Sequence, residues 1–118
     1  MSVEPINHKP SLSGRKLKEV LAFIEDNLSR DVSLANLAAA AGLSVSHFKT
    51  VFRESVGMPA HQYVIRRRVE RAKGLLGEGN LPISQIAAEV GFAHQSHLAY
   101  HMRRVLGLSP KQVRKILR

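Results

Sequence analysis

The sequence predicts an all-α fold of seven helices, arranged as two repeated helical units joined by a long connecting helix. Three observations predict it. Apolar residues recur at three- and four-residue intervals, and no segment alternates apolar and polar residues long enough for a strand. Ser, Gly and Pro stand where the periodic stretches begin and end. The second half of the chain also repeats the first, with residues 34–43 matching residues 83–92.

Met1 to Ser13 holds Pro5 and Pro10 among polar residues and has no apolar run, so residues 1–11 are expected to be a flexible tail. Ser13 can cap a first helix whose Leu17, Val20, Leu21, Ile24 and Leu28 form one apolar stripe. Ser33 can cap a short second helix from Leu34 to Ala41, closed by Gly42 in the left-handed conformation. Ser44 can cap a third helix with Phe48, Val51 and Phe52 on one face, ending before Gly57. Pro59 suits the first turn of a long fourth helix that runs to about Leu76. The run Gly77-Glu78-Gly79-Asn80 is a turn by composition. Pro82 starts a fifth helix ending at Gly91, a sixth spans Gln95 to Leu106, and Pro110 opens a seventh that runs to the C-terminus. The expected units are therefore residues 12–58 and 78–118, with residues 59–77 as the connecting helix.

The repeat carries the sharpest signal. Residues 34–43 pair with residues 83–92 at a distance of 49 positions. After one extra residue Phe48 pairs with Leu98, Phe52 with Met102 and Gly57 with Gly107; after one more, Pro59 pairs with Pro110. Ala38 and Ala87 are small enough to let a second helix approach. Gly42 and Gly91 supply a backbone angle that a β-carbon resists. Leu43 and Phe92 plug the turn into the core. This is the layout of a helix-turn-helix, whose second helix enters the DNA major groove. One such match would suit a mere packing hairpin equally well. Two in register, on a strongly basic chain, favour DNA.

The charge agrees. Eighteen Lys and Arg oppose nine Asp and Glu, for a net charge of +9 and a pI near 10.7, a balance that favours a polyanionic partner. The excess is lopsided: seven basic against six acidic residues over 1–61, eleven against three over 62–118. There is no cysteine, so disulfides, zinc–cysteine sites and thiol nucleophiles are excluded. Paired carboxylates in an apolar setting and a phosphate-cradling glycine loop are lacking too, so no catalytic residue and no cofactor is expected. No apolar run is long enough to span a membrane. A soluble protein of the bacterial cytoplasm, working at the nucleoid, is expected.

These residues resemble the DNA-binding domain of the AraC/XylS family of bacterial transcription regulators over about residues 12–116. The resemblance lies in the small-residue helix, glycine and Ser44-x-x-x-Phe48 of the first unit. It extends through Tyr63-Val64 and the stretch from Arg68 to Leu76. It closes with residues 83–92 and Gly107-Leu108-Ser109-Pro110-Lys111-Gln112-Val113-Arg114. Departures occur at Tyr100 and Met102, where the family often has Arg and Phe. Val113 replaces a usual Tyr, and His94 stands where Ser or Asp often caps. The resemblance implies a transcription activator that binds double-stranded DNA, with RNA polymerase as an expected partner. It also implies the effector-binding or dimerisation domain many relatives carry, for which 118 residues leave no room. A methyl-transfer repair module in the family depends on cysteine, which this chain lacks.

Sorting residues at about 100° each places the expected contacts. On the third helix Ser46, Lys49, Thr50 and Arg53 lie opposite the apolar face, and Lys and Thr suit base edges. On the sixth, Gln95, Ser96, His97 and Tyr100 are expected to reach bases, Gln being able to pair bidentately with adenine. Arg103 and Arg104, with His61, Arg66, Arg67 and Lys111, are expected at phosphates. Three consecutive arginines, Arg66 to Arg68, point in different directions, so one or two meet DNA and the rest pair with acids such as Glu70 or face water. His94, His97 and His101 have metal-ligand spacing, but no carboxylate completes the set and no metal is expected. The connecting helix, about 18 residues at ~1.5 Å each, spans roughly 27 Å, against about 34 Å between successive major grooves. One chain could thus fill two adjacent grooves. The competing reading is a helical adaptor that binds RNA polymerase or another protein, with weak DNA affinity.

Overall fold

The computed structural model describes residues 11–118. Of the tail expected over residues 1–11, all but Ser11 lies outside the described residues. Seven helices follow: α1 (Gly14–Asp26), α2 (Leu34–Ala41), α3 (Val45–Val56), α4 (Ala60–Glu78), α5 (Ile83–Glu89), α6 (Gln95–Leu106) and α7 (Pro110–Leu117). No strand occurs among the described residues.

The start signals act as expected. The hydroxyls of Ser13, Ser33 and Ser44 accept from the backbone N–H groups of Lys16, Asn36 and His47, satisfying donors that have no partner inside the first turn. Ser109 adds a reciprocal pair: it accepts from the Gln112 backbone N–H, and its own N–H donates to the Gln112 side chain.

The two helix turns share one closure. Leu43 N–H donates to Ala38 C=O at 2.9 Å and Gly42 N–H to Ala39 C=O at 3.0 Å. Phe92 N–H donates to Ala87 C=O at 2.9 Å and Gly91 N–H to Ala88 C=O at 3.2 Å. Both are the paired hydrogen bonds of a Schellman ending, and both glycines have positive φ, 73° and 102°. The second turn is one residue longer, since Ser44 caps two residues after Gly42 and His94 takes the cap position three residues after Gly91.

Two expectations change. Beyond Phe48 and Leu98 the offset stays at 50: Pro59 and Ser109 are both N-caps, and Ala60 and Pro110 are both buried first helical residues. Pro59 therefore matches Ser109, not Pro110. Proline is tolerated in either place because the N–H groups there need no helical partner. Helix α4 also continues through Gly77 to Glu78, past the expected end at Leu76. A Cβ on Gly77 would lie 3.2 Å from the Leu117 Cβ. The glycine thus gives α7 room beside α4, a tertiary use that local turn composition does not reveal.

Two cores flank α4. The first gathers Val20, Ile24, Leu28, Leu37, Phe48 and Phe52 onto Ala60 and Val64; the second gathers Ile86, Val90, Leu98, Met102 and Val113 onto Val69, Ala72 and Leu76. At 100° per residue these two sets on α4 are centred roughly 130° apart. The helix therefore switches its apolar face between Val64 and Val69. One unit packs on each face, and each core is built from the repeated positions. No charged or polar residue among those described is buried.

Candidate nucleic-acid interface

The third and sixth helices turn the same positions outward. Ser46, Lys49, Thr50 and Arg53 are exposed on α3, as are Gln95, Ser96, His97, Tyr100, Arg103 and Arg104 on α6. Burial of Phe48, Val51 and Phe52 on α3, and of Leu98 and Met102 on α6, fixes those outer faces. The apolar stripe decides which side chains meet solvent, and polar chemistry on the far side is free to address a ligand.

Each helix borders a cleft against the start of the helix that follows. In the first, Lys49, Thr50 and Arg53 share the wall with His61. In the second, Gln95 and Arg103 share it with Lys111. Arg53 and Arg103 hold equivalent places in the repeat, and so do His61 and Lys111. All four were expected at DNA, yet the equivalence of His61 and Lys111 emerges only once the offset stays at 50 past Gly57.

A third groove runs between α4 and α6 and meets the first cleft at His61. It brings together His61, Arg66, Tyr100 and Arg104, and adds Gln62 and His101, which sequence reasoning did not select. The repeat partner of Gln62, Gln112, serves the Ser109 capping box instead, so the repeat gives no signal for Gln62. The Tyr100 ring is braced on two sides: Arg104 lies 5.7 Å from its centroid and His101 packs edge-on at 5.0 Å. His101 itself stacks on Phe92 at 5.4 Å. Its pKa is pushed down by burial first, and then by the charges of His97, Arg104 and His61.

At the head of α6, His94 gives no side-chain cap. Its Nδ1 lies 2.7 Å from the Ser96 hydroxyl, and its ring packs on His97 at 4.0 Å. Among the described residues no group of three His, Cys, Asp or Glu is placed to hold a metal.

Arg67 stands apart from the other expected residues. Its Nε donates to Glu25 Oε2 at 2.8 Å, and Arg71 lies 3.9 Å from the same carboxylate. The Arg67 hydrogen bond holds the Glu25 carboxyl below its ordinary value, against burial, with both arginine charges adding to it. Arg67 therefore ties α4 to α1, half-buried, while Arg66 faces the groove. Arg68 goes to backbone carbonyls of the loop after α1. Neither hydrogen-bonds Glu70, the acid singled out from sequence, although its charge adds to the upward push on the Arg67 pKa that the Glu25 bond leads.

The family described as "Helix-turn-helix domain" matches residues 37–116. The probable transcriptional regulator LumQ of Photobacterium leiognathi is 38% identical over 96 residues, covering 81% of this chain and 39% of LumQ. The chain thus spans well under half of that relative. The transcriptional activator AarP of Providencia stuartii is 37% identical over 98 residues, covering 83% of this chain and 73% of AarP. Among solved structures, the DNA-binding domain of AdpA, in complex with a target DNA, superposes with a TM-score of 0.81 at 33% identity, covering 86% of this chain and 91% of that one. No helix among the described residues is long and apolar enough to cross a membrane.

Proposed function

Because the chain belongs to the AraC-type family of helix-turn-helix transcription regulators, we propose that it binds double-stranded DNA sequence-specifically, with α3 and α6 in adjacent major grooves. The observation that carries this is the repeated interface. Two helices with the same buried stripe, the same glycine closure and the same flanking cleft each present an exposed polar face. A DNA complex of a domain with the same fold, AdpA, supports it.

In this reading residues 12–58 and 78–118 are the two reading units and residues 59–77 space them. Ser46, Lys49, Thr50 and Arg53 meet bases in one groove; Gln95, Ser96, His97 and Tyr100 meet them in the next. His61, Arg66, Arg103, Arg104 and Lys111 hold phosphates, and the α4–α6 groove lies over the backbone between the two. Arg67 keeps to Glu25 and does not join them. The protein acts without catalysis in the bacterial cytoplasm, as an activator, the role printed for AarP, with RNA polymerase as its protein partner.

Selection from a random DNA pool at physiological salt tests the reading. Two conserved blocks about one helical turn apart are expected. Enrichment of a single block of half a turn would remove the two-groove arrangement. A pool that stays random would favour the adaptor that binds protein instead.

A further inference from the structure

Where the two units meet, one side chain holds both. Arg68 Nε donates to the Leu28 carbonyl at 3.0 Å and its terminal nitrogen to the Arg30 carbonyl at 2.7 Å. Both acceptors belong to the loop between α1 and α2. The same guanidinium lies 6.0 Å from the centroid of Phe92, which plugs the turn of the second unit. Beside it, Gly91 comes so near that a Cβ there would stand 2.1 Å from the Leu28 carbonyl oxygen and 2.7 Å from Arg68 Nε. Loop, connecting helix and second turn thus converge on one point.

We propose that Arg68 is a positioning residue: it fixes the distance and rotational phase of α3 and α6, and so makes binding selective for the number of base pairs between the two blocks. This rests on the two-groove reading above. The need for such a joint follows from α4. Between Val64, last residue of the first core, and Val69, first of the second, no fully buried side chain anchors the helix. Within the gap Arg67 ties α4 to the first unit alone and Ile65 packs on the second alone, so neither fixes one unit against the other. Arg68 lies in that gap and closes a triangle across it.

Arginine suits the task for three reasons. Its planar fork reaches two carbonyls at once, its face lies on an aromatic ring, and it keeps its charge when partly withdrawn from water. Burial lowers the Arg68 pKa, with Asp31 acting the other way. The bond to Leu28 is partly buried and the one to Arg30 exposed, and a partly buried bond from a cation to a carbonyl holds geometry better than an exposed one. The neighbouring Arg67 offers a contrast, since its bond to Glu25 stays within the first unit and α4.

The test measures binding by fluorescence anisotropy at one salt concentration, on the selected site and on versions with one base pair inserted or deleted between the blocks. Each change rotates one block against the other by about 35°. The unaltered protein is expected to lose about tenfold or more in affinity per change, within the range of one mismatched contact. Arg68→Ala should shrink that penalty to about threefold, the remaining discrimination being what α4 alone supplies. Arg68→Lys should do the same, and it serves if the alanine variant folds poorly, because an ammonium keeps the charge but loses the fork and the stacking plane. Glu25→Gln, which breaks the tie inside the first unit, should keep the full penalty. Folded Arg68 variants with the full penalty would overturn the joint alone. An unaltered protein that tolerates both changes would overturn the two-groove reading, and the joint with it.

Discussion

The two helix-turn-helix units have nearly one backbone, and outer faces that agree at some positions and differ at others. At equivalent places Phe48 and Leu98 are buried, as are Phe52 and Met102, Ala38 and Ala87, Ala41 and Val90. The exposed places are mixed: Ser46, His47 and Arg53 recur as Ser96, His97 and Arg103, whereas Thr50 answers to Tyr100, Glu54 to Arg104 and His61 to Lys111. Packing accepts any apolar group of fitting volume and rejects a polar one, so the interior pattern survives exchange of the residues themselves. The outer face is under no such constraint from the fold. Divergence there is what two reading heads addressing different base pairs would need.

The turn glycines separate most clearly what the units share from what they do not. Both Gly42 and Gly91 have positive φ, so alanine at either should cost about 1–2 kcal/mol in backbone strain alone. A Cβ on Gly42 meets nothing within 4 Å, whereas one on Gly91 collides with the Leu28 carbonyl oxygen, a backbone atom that cannot swing aside. Gly91→Ala should therefore destabilise at least twice as much as Gly42→Ala in urea unfolding. Equal costs would mean that the second turn does not bear on the first unit, and the inequality between the units would vanish.

That inequality also marks the limit of what the sequence discloses. Helix starts, glycine closures, apolar stripes and the outward faces of α3 and α6 all follow from local spacing, because each is set within one or two turns of chain. The roles of Arg67 and Arg68 do not. Their partners Glu25, Leu28 and Arg30 lie about forty residues away in the chain, and an arginine triplet looks alike whether it faces DNA or a neighbouring loop. Helix α4 past Leu76 is a similar case: Gly77 punctuates the sequence like a turn, but the approach of Leu117 uses it within a helix. The end of the repeat is a third case, because two prolines invite a match that the caps do not make.

The second contrast is electrostatic. The segment from residue 62 onward carries eleven of the eighteen basic side chains and only three of the nine acids. If phosphate gripping resides there, Arg104→Gln and Lys111→Gln should each lower the slope of log affinity against log salt by about 0.9, the value for one phosphate contact. Thr50→Ala in the first unit should instead leave that slope unchanged and relax preference at one base pair, costing about 1–3 kcal/mol against the preferred base. Binding isotherms from 50 to 200 mM salt, on selected and altered sites, read both effects; about that salt range already spreads affinities by decades for such proteins. Equal slope losses from the two units would erase the asymmetry.

The smallest effect concerns how each recognition helix begins. Ser44 caps α3 through a hydrogen bond to His47 N–H, so Ser44→Ala should cost about 1 kcal/mol. His94 makes no such bond to the start of α6, so His94→Ala should cost only a few tenths, chiefly the ring packing on His97. The reverse experiment sharpens the point. The serine caps of α1, α2, α3 and α7 sit at φ of −64°, −84°, −67° and −81°, whereas His94 sits at −162°. Serine at position 94 must rotate its backbone before its hydroxyl can reach the first turn, and the longer second turn has the residue to allow it. His94→Ser is therefore expected to stabilise by about 0.5 kcal/mol, less than Ser44→Ala removes. A gain equal to that loss would show that the extra turn residue costs the second unit nothing, and that its uncapped helix start comes from side-chain chemistry alone.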